Sequence, residues 1–483
     1  MDPRGKGAYL AHAGELVAKV DLESWGDLLA EGRGARVAVI CLGVWLNAAD
    51  SLVTATIMPT IGRDLGGYVY FSWATAAYMA GAILSGATAA RLSARLGLRT
   101  AMVAAGLVTA AGCAVSALSP AMIPFVVGRA IQGIGAGWIV GACYAAIGAM
   151  FPQRHLARVF GLMTGVWGVA TVFGPLVGGA FAQGAGLWRW LFWAFGGQAL
   201  AFSGAVMWLL PARASAPADN RAPWGQLALV MLGVALTAAA DLTGSALVAG
   251  LLCVASLVVF VGAVRIPVSA RDSLFPRAAG DPASVIGAAY VSYFGFTAAA
   301  TGFSVYGPAL LQALDGLTPL ESGYAAGLES VGWTAAALTV AGLAPNWHSA
   351  VLRLGAAAIV LSLAAFAWVM RFGPLWQILA AATVLGAGFG LTSGFTGRRV
   401  IASAADEAER ELASAGINSV RQVGSAAGAC LAGIVANLLG MTAGVTRVAA
   451  EGSAVWLFVV AAPIALVGAI GCWRVAAAEI EGV

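Results

Sequence analysis

Charge is scarce in this sequence. Asp, Glu, Lys and Arg make up 10% of the 483 residues, where a soluble domain carries roughly a quarter. A surface so poor in charge cannot be wetted all round, so most of it must face lipid. Histidine is scarcer still. His12, His155 and His348 read as terminal or loop residues and build no catalytic cluster, so no enzyme is expected. No Gly-x-x-x-x-Gly-Lys-Ser/Thr loop occurs, which argues against ATP as an energy source. Cys41, Cys113, Cys143, Cys253, Cys430 and Cys472 fall in apolar segments without metal-ligand spacing. They read as small structural hydrophobes, and neither a metal nor a cofactor is expected. The net charge of +4 is spread over short turns and gives no basic footprint for nucleic acid. No charged stretch followed by a short apolar core and cleavage site is visible, so no removable signal peptide is expected.

What the chain has in plenty is apolar sequence, 60% of it. Runs of about 18 to 25 apolar residues read as transmembrane helices. Fourteen are expected, near residues 37–60, 70–90, 100–119, 121–150, 156–182, 189–211, 223–241, 243–264, 284–312, 318–343, 350–370, 374–397, 411–440 and 453–475. Arginine tests the count. With residues 1–36 inside, seventeen arginines from Arg33 onward fall in cytoplasmic segments and only Arg63, Arg189, Arg371 and Arg447 in outside turns. That is the positive-inside asymmetry. Both termini are therefore expected in the cytoplasm and the chain in an inner membrane. Residues 1–36 read as a cytoplasmic leader in which Leu16, Val20, Trp25 and Leu28 could share one face of a surface helix. Residues 265–283 read as the main cytoplasmic linker and 477–483 as a short tail.

Four charges are misplaced for a membrane span. Asp50, Arg129, Glu329 and Arg421 lie well inside apolar runs, while Asp241 closes one and reads as interfacial. A charge at the membrane centre costs about 2.5–3.5 kcal/mol on insertion scales, so each needs a partner or a cavity. Structural ion pairing and function both stay open for all four. An acid in a low-dielectric site can exchange a proton near neutral pH, as proton coupling requires. An arginine can hold a negative partner or an anionic group of a substrate. Two deep acids against two deep arginines do not single out a cationic cargo.

Several stretches carry a family pattern. The first span reads NAADSLVTATIMPTIGRDLG, with Asp50, Pro59 and Asp64; the second reads SWATAAYMAGA, with Trp73 and Tyr78. The fourth, GRAIQGIGAG, has the Arg-x-x-Gln-Gly-x-Gly pattern in Arg129, Gln132, Gly133 and Gly135. The fifth holds GVWGVATVFGPLVGG, with Gly165, Gly168, Gly174, Pro175, Gly178 and Gly179. WRWLFW (residues 188–193) and GINSVRQVGSAAGA (416–429, with Asn418, Arg421 and Gln422) complete the set. In these the chain resembles the major facilitator superfamily, and more closely its fourteen-span drug:proton antiporter branch.

The resemblance implies an all-α membrane protein of two six-helix bundles, residues 37–211 and 284–476, with two inserted helices in 212–264. It implies that Arg129 serves proton transfer, and Asp50 reads as the main proton or substrate acid, with Arg129 modulating its protonation. The fifth-span glycines become a seam where the bundles rock, since small residues permit close helix approach and the Gly-Pro pair permits a bend. The loop ARLSARLGLR keeps the family's Arg95, Gly97 and Arg99 but has Ala94 where an acid belongs, which puts the usual cytoplasmic latch in question. Glu329 matches no signature and reads as an addition that serves substrate or proton. Trp45, Trp138, Tyr144, Trp167, Tyr290, Tyr293, Phe296 and Trp333 fall within spans and could line a cavity for flat amphipathic molecules; packing or lipid-facing roles are equally open for each.

The expected protein is a monomeric secondary transporter, surrounded by membrane lipid, that exports small amphipathic organic compounds against protons. A narrow carrier for one metabolite, siderophore or lipid, coupled or uncoupled, is the first alternative. A membrane sensor or scaffold is the second.

Overall fold

In lipid the backbone has no water to bond, so each apolar run must close into a helix. The computed structural model describes residues 33–151, 153–183, 186–211, 223–266 and 273–478. Within them run α1 (Arg33–Leu65), α2 (Trp73–Leu96), α3 (Leu98–Leu118), α4 (Met122–Met150), α5 (Gln153–Phe181), α6 (Trp188–Leu209), α7 (Trp224–Asp241) and α8 (Ala246–Arg265). Then follow α9 (Val285–Leu314), α10 (Pro319–Val340), α11 (Pro345–Phe372), α12 (Leu375–Ala402), α13 (Glu407–Leu438) and α14 (Arg447–Ala477). Every expected span lies on one helix of this series. Helices α1, α11 and α14 outrun their apolar stretches at both ends, because polar end residues continue them. Ser284, Asp406 and Thr446 each cap a start by accepting a backbone N–H, and Thr318 with Glu321 forms a capping box. The expected surface helix of the leader falls on residues 1–32, outside the described residues, as do parts of the linker (267–272) and the tail (479–483).

Eleven of these helices hold a stretch long and apolar enough to cross a membrane. The others are α2, α9 and α10. Each packs across to the other half of the chain, and α9 buries most of its length. Screened by its neighbours, α9 has no need of a uniformly apolar surface.

Helices α1–α6 pack among themselves, and so do α9–α14. The two groups meet where α2 lies on α13, α5 on α10, and α1 on α9 and α10. Helices α7 and α8 pair with each other, and α7 docks on both α13 and α2. An apolar cleft of about 550 Å³, lined in part by Leu257, Phe260, Phe294 and Ile464, lies among this pair, α9, α13 and α14.

Glycine sets the closest approaches. A Cβ on Gly81 would run into the Ala130 carbonyl, and one on Gly133 into Tyr78, so α2 and α4 touch backbone to backbone. In the second half Gly332, Gly386 and Gly390 do the same between α10 and α12, at Thr383, Glu329 and Trp333. Without a hydrophobic drive between helices in lipid, such close packing is a main source of cohesion.

Candidate functional site

The first charged centre lies inside the first helix group. Helix α1 brings Asp50 and α4 brings Arg129, both nearly fully buried. Arg129 Nη1 stands 2.8 Å from each Asp50 carboxylate oxygen and 2.6 Å from Gln132 Oε1. The Tyr78 ring lies 4.5 Å from the guanidinium carbon. Tyr78 in turn donates its hydroxyl to Asn47 Oδ1 (2.8 Å), and Gln132 donates to Cys113 Sγ (3.2 Å). Arg129 Nε has no hydrogen-bond partner among the described residues. Spacing on α1 links this pair to the junction of the halves. Asp50 faces α4, whereas Leu52 and Thr56, on another face of α1, meet Gly174 and Gly178 of α5.

The second centre is in the second group and is built differently. Glu329, in the middle of α10, is half-buried and accepts one hydrogen bond, from Ser304 Oγ of α9 at 3.3 Å. No cation pairs with it among the described residues. One turn on, Trp333 shares its face of the helix. The Trp333 ring stacks on Phe389 at 5.0 Å, and the Arg421 guanidinium of α13 lies 5.0 Å over the Trp333 ring. Arg421 has no hydrogen-bond or ion-pair partner among the described residues. So Asp50 and Arg129 are joined, while Glu329 and Arg421 stand apart, grouped by one indole ring.

The fifth-span glycines divide into two sets. Gly174 and Gly178 press on α1, Gly179 on Leu320 of α10, and Pro175 on Gly323 of α10. Gly165 and Gly168, nearer the start of α5, have open space where a Cβ would stand. The aromatic set is dispersed as well. Trp45 donates to Gln198 (3.0 Å) and Trp138 to Thr88 (3.0 Å), inside the first group. Tyr290 donates to the Ala413 carbonyl (3.0 Å) and Tyr293 to that of Ser393 (2.9 Å), inside the second. Phe296 packs on Phe389, next to Trp333. Tyr144 and Trp167 are exposed. Arg95 is exposed and Arg99 half-buried beside Gly97, whose φ of 79° turns the chain between α2 and α3.

A family model of the Major Facilitator Superfamily matches residues 40–429. The chain belongs to that superfamily. A probable multidrug-efflux transporter of Mycobacterium tuberculosis is 32% identical over 437 residues, which cover 86% of this chain and 90% of that protein. Multidrug resistance protein 3 of Bacillus subtilis is 29% identical over 154 residues, 32% of this chain and 30% of that one. The fold matches a bacterial homologue of the human lysosomal transporter Spinster in an inward-facing, unoccupied conformation. The TM-score is 0.65 at 13% identity, over 92% of this chain and 97% of that one. A D-xylose–proton symporter matches with TM-score 0.61 at 15% identity, over 88% and 96%. The chain is therefore a membrane transporter and not an enzyme.

Two acids of this major facilitator chain have a place that the sequence reading does not give them. Asp64 accepts the Gly186 N–H (2.8 Å) and the Trp188 indole N–H (2.9 Å), which anchors the start of α6. Asp241, read as interfacial, is buried between three helices. Its place at the end of an apolar run concealed this, and only the packing of α7 reveals it. His155 and His348, read as loop residues, sit in the first turns of α5 and α11 and are buried.

Proposed function

We propose that this chain is a secondary active exporter of amphipathic organic compounds, run by proton antiport, with both termini in the cytoplasm. The observation that carries the reading is the face made by Glu329, Trp333 and Arg421. A carboxyl, a flat ring and a cation lie together at membrane depth, and neither charge has an ionic partner of its own among the described residues. Leaving charges unpaired in that setting is costly, and a bound molecule or a proton can relieve the cost. The ring face suits flat cargo, Arg421 suits an anionic group and Glu329 a cationic group or a proton. Asp50 and Arg129 form the second proton centre. Because α1 also carries Leu52 and Thr56 against α5, a change in the Asp50 pair has a direct mechanical route to the junction.

Movement follows from the glycines. With the termini cytoplasmic, α5 is clamped at its outer half through Gly174, Gly178 and Gly179 and stands free at its inner half around Gly165 and Gly168. This is the arrangement of a site open to the cytoplasm, and rocking of α1–α6 against α9–α14 exposes it to the other side. The efflux relatives named above support the export direction.

The reading is tested in proteoliposomes under an imposed pH gradient, by following a fluorescent lipophilic cation. Wild type is expected to move the probe with the gradient, and Glu329→Gln to lose at least about tenfold of that rate. A folded wild type that moves none of it overturns broad export. Arg421→Gln is expected to weaken apparent affinity for an anionic amphiphile about tenfold, or ~1.4 kcal/mol, and to spare cationic ones. Competition assays against the same probe read this difference. One feature favours the narrower carrier: charges of both signs around a single ring would select one zwitterionic metabolite. In that case Arg421→Gln and Glu329→Gln both abolish transport of the same compound.

A further inference from the structure

Asp241 is the last residue of α7, the first helix of the inserted pair. Its side chain is nearly sealed from solvent, at 1% exposure for the residue. It accepts a hydrogen bond from Ser72 Oγ, at the start of α2, at 2.5 Å. It accepts another from Asn437 Nδ2, at the end of α13, at 2.7 Å. The same Asn437 nitrogen lies 3.0 Å from the Val69 carbonyl and 3.3 Å from the Asp241 carbonyl. One carboxylate thus ties a helix of the first group to a helix of the second, through an element that belongs to neither.

The surroundings are shaped to this contact. Gly433 of α13 leaves the room, since a Cβ there would collide with both Asp241 carboxylate oxygens and Ser72 Oγ. Two further buried donors, Trp73 Nε1 and Tyr306 Oη, border the junction and have no hydrogen-bond partner among the described residues. Tyr306 of α9 also packs on Phe71, at 5.1 Å between ring centroids. No arginine or histidine among the described residues pairs with the carboxylate. All of these residues lie at the end of the molecule opposite the start of α1, which is also the end where α5 is clamped on α10.

We propose that Asp241 is the latch that holds the two helix groups together at this end, and that it releases one of them whenever this end opens. The proposal rests on the alternating-access reading above. The bonds to Ser72 and Asn437 can exist together only while α2 and α13 are in contact. When the groups part, Asp241 stays with one partner and water replaces the other, so the closed state is favoured by a charge-assisted bond made in that state alone. This gives the inserted pair a task beyond filling space: α7 carries an outer latch, in a chain whose inner loop has Ala94 in place of an acid.

Hydrogen exchange followed by mass spectrometry on the purified, full-length transporter tests this. Asp241→Ala and Asn437→Ala are each expected to shift the equilibrium about tenfold toward opening of the far end. Deuterium uptake then rises at the start of α2 and the end of α13 and falls at the opposite ends of α5 and α10, which close together. Ser72→Ala, which removes one donor only, is expected to give a smaller shift of the same sign. A rise along the whole chain in all three variants means that Asp241 only supports the fold, and overturns the latch. Unchanged uptake at both ends overturns it too. The exchange pattern needs no proton gradient, so failure of the export assay with an intact pattern rejects the exporter reading and keeps the latch.

Discussion

Asparagine at position 50 is expected to leave a folded transporter that has lost about a hundredfold or more of its gradient-driven flux. Asp50→Asn keeps a carbonyl oxygen for Arg129, which still has Gln132 Oε1 at 2.6 Å and the Tyr78 ring below it. Asp50→Asn loses the group that can take up and release a proton and leaves the Arg129 guanidinium without its counter-charge, while its remaining polar partners hold it in place. Arg129→Ala is expected to act in the opposite order. It leaves the Asp50 carboxylate buried without its cation, and breaking a buried ion pair from one side costs about 3–5 kcal/mol. The double variant Asp50→Asn/Arg129→Gln removes both charges, so it should regain most of that stability and none of the coupling. Thermal unfolding in detergent and flux in proteoliposomes separate the three cases. Full gradient-driven flux in Asp50→Asn would make the pair a structural device.

The second large effect is expected at Gly133. A valine there would place its Cβ 2.9 Å from the Tyr78 Cα and closer still to the Tyr78 carbonyl, nearer than real side chains come. Backbone cannot swing aside as a side chain can, so α2 and α4 must separate. The Arg129 guanidinium would then lose its seat on Tyr78. Gly133→Val should yield little or no monodisperse protein by size-exclusion chromatography. Gly165→Ala is the contrasting case. Its Cβ meets nothing within 4 Å, so yield and melting temperature should stay close to wild type. Equal damage from both substitutions would mean that the close α2–α4 contact is not what holds Gly133.

These two glycines show where reading the sequence stops. Both belong to family patterns, and the pattern treats Gly165 and Gly168 as it treats Gly174, Gly178 and Gly179. Only the packing separates glycines under contact from glycines beside a gap. The charged residues divide in a similar way. That Asp50, Arg129, Glu329 and Arg421 require partners follows from their depth in apolar runs. That Arg129 answers Asp50 across 79 positions, while Glu329 and Arg421 have no ionic partner among the described residues, depends on how four helices are rotated. Asp241 is the plainest case, since the end of an apolar run looks interfacial until α2 and α13 close over it.

The sequence by itself determined that the chain is helical, where each long helix runs and which charges are out of place. The reason is local: a bilayer sets the length and polarity of whatever spans it, and the backbone must bond within each segment. The tertiary structure alone decided which helices touch, which glycines carry contact and which acids are tied. Those outcomes depend on helix rotation and approach distance, set jointly by residues far apart in the chain, and no stretch of sequence contains both sides of such a contact.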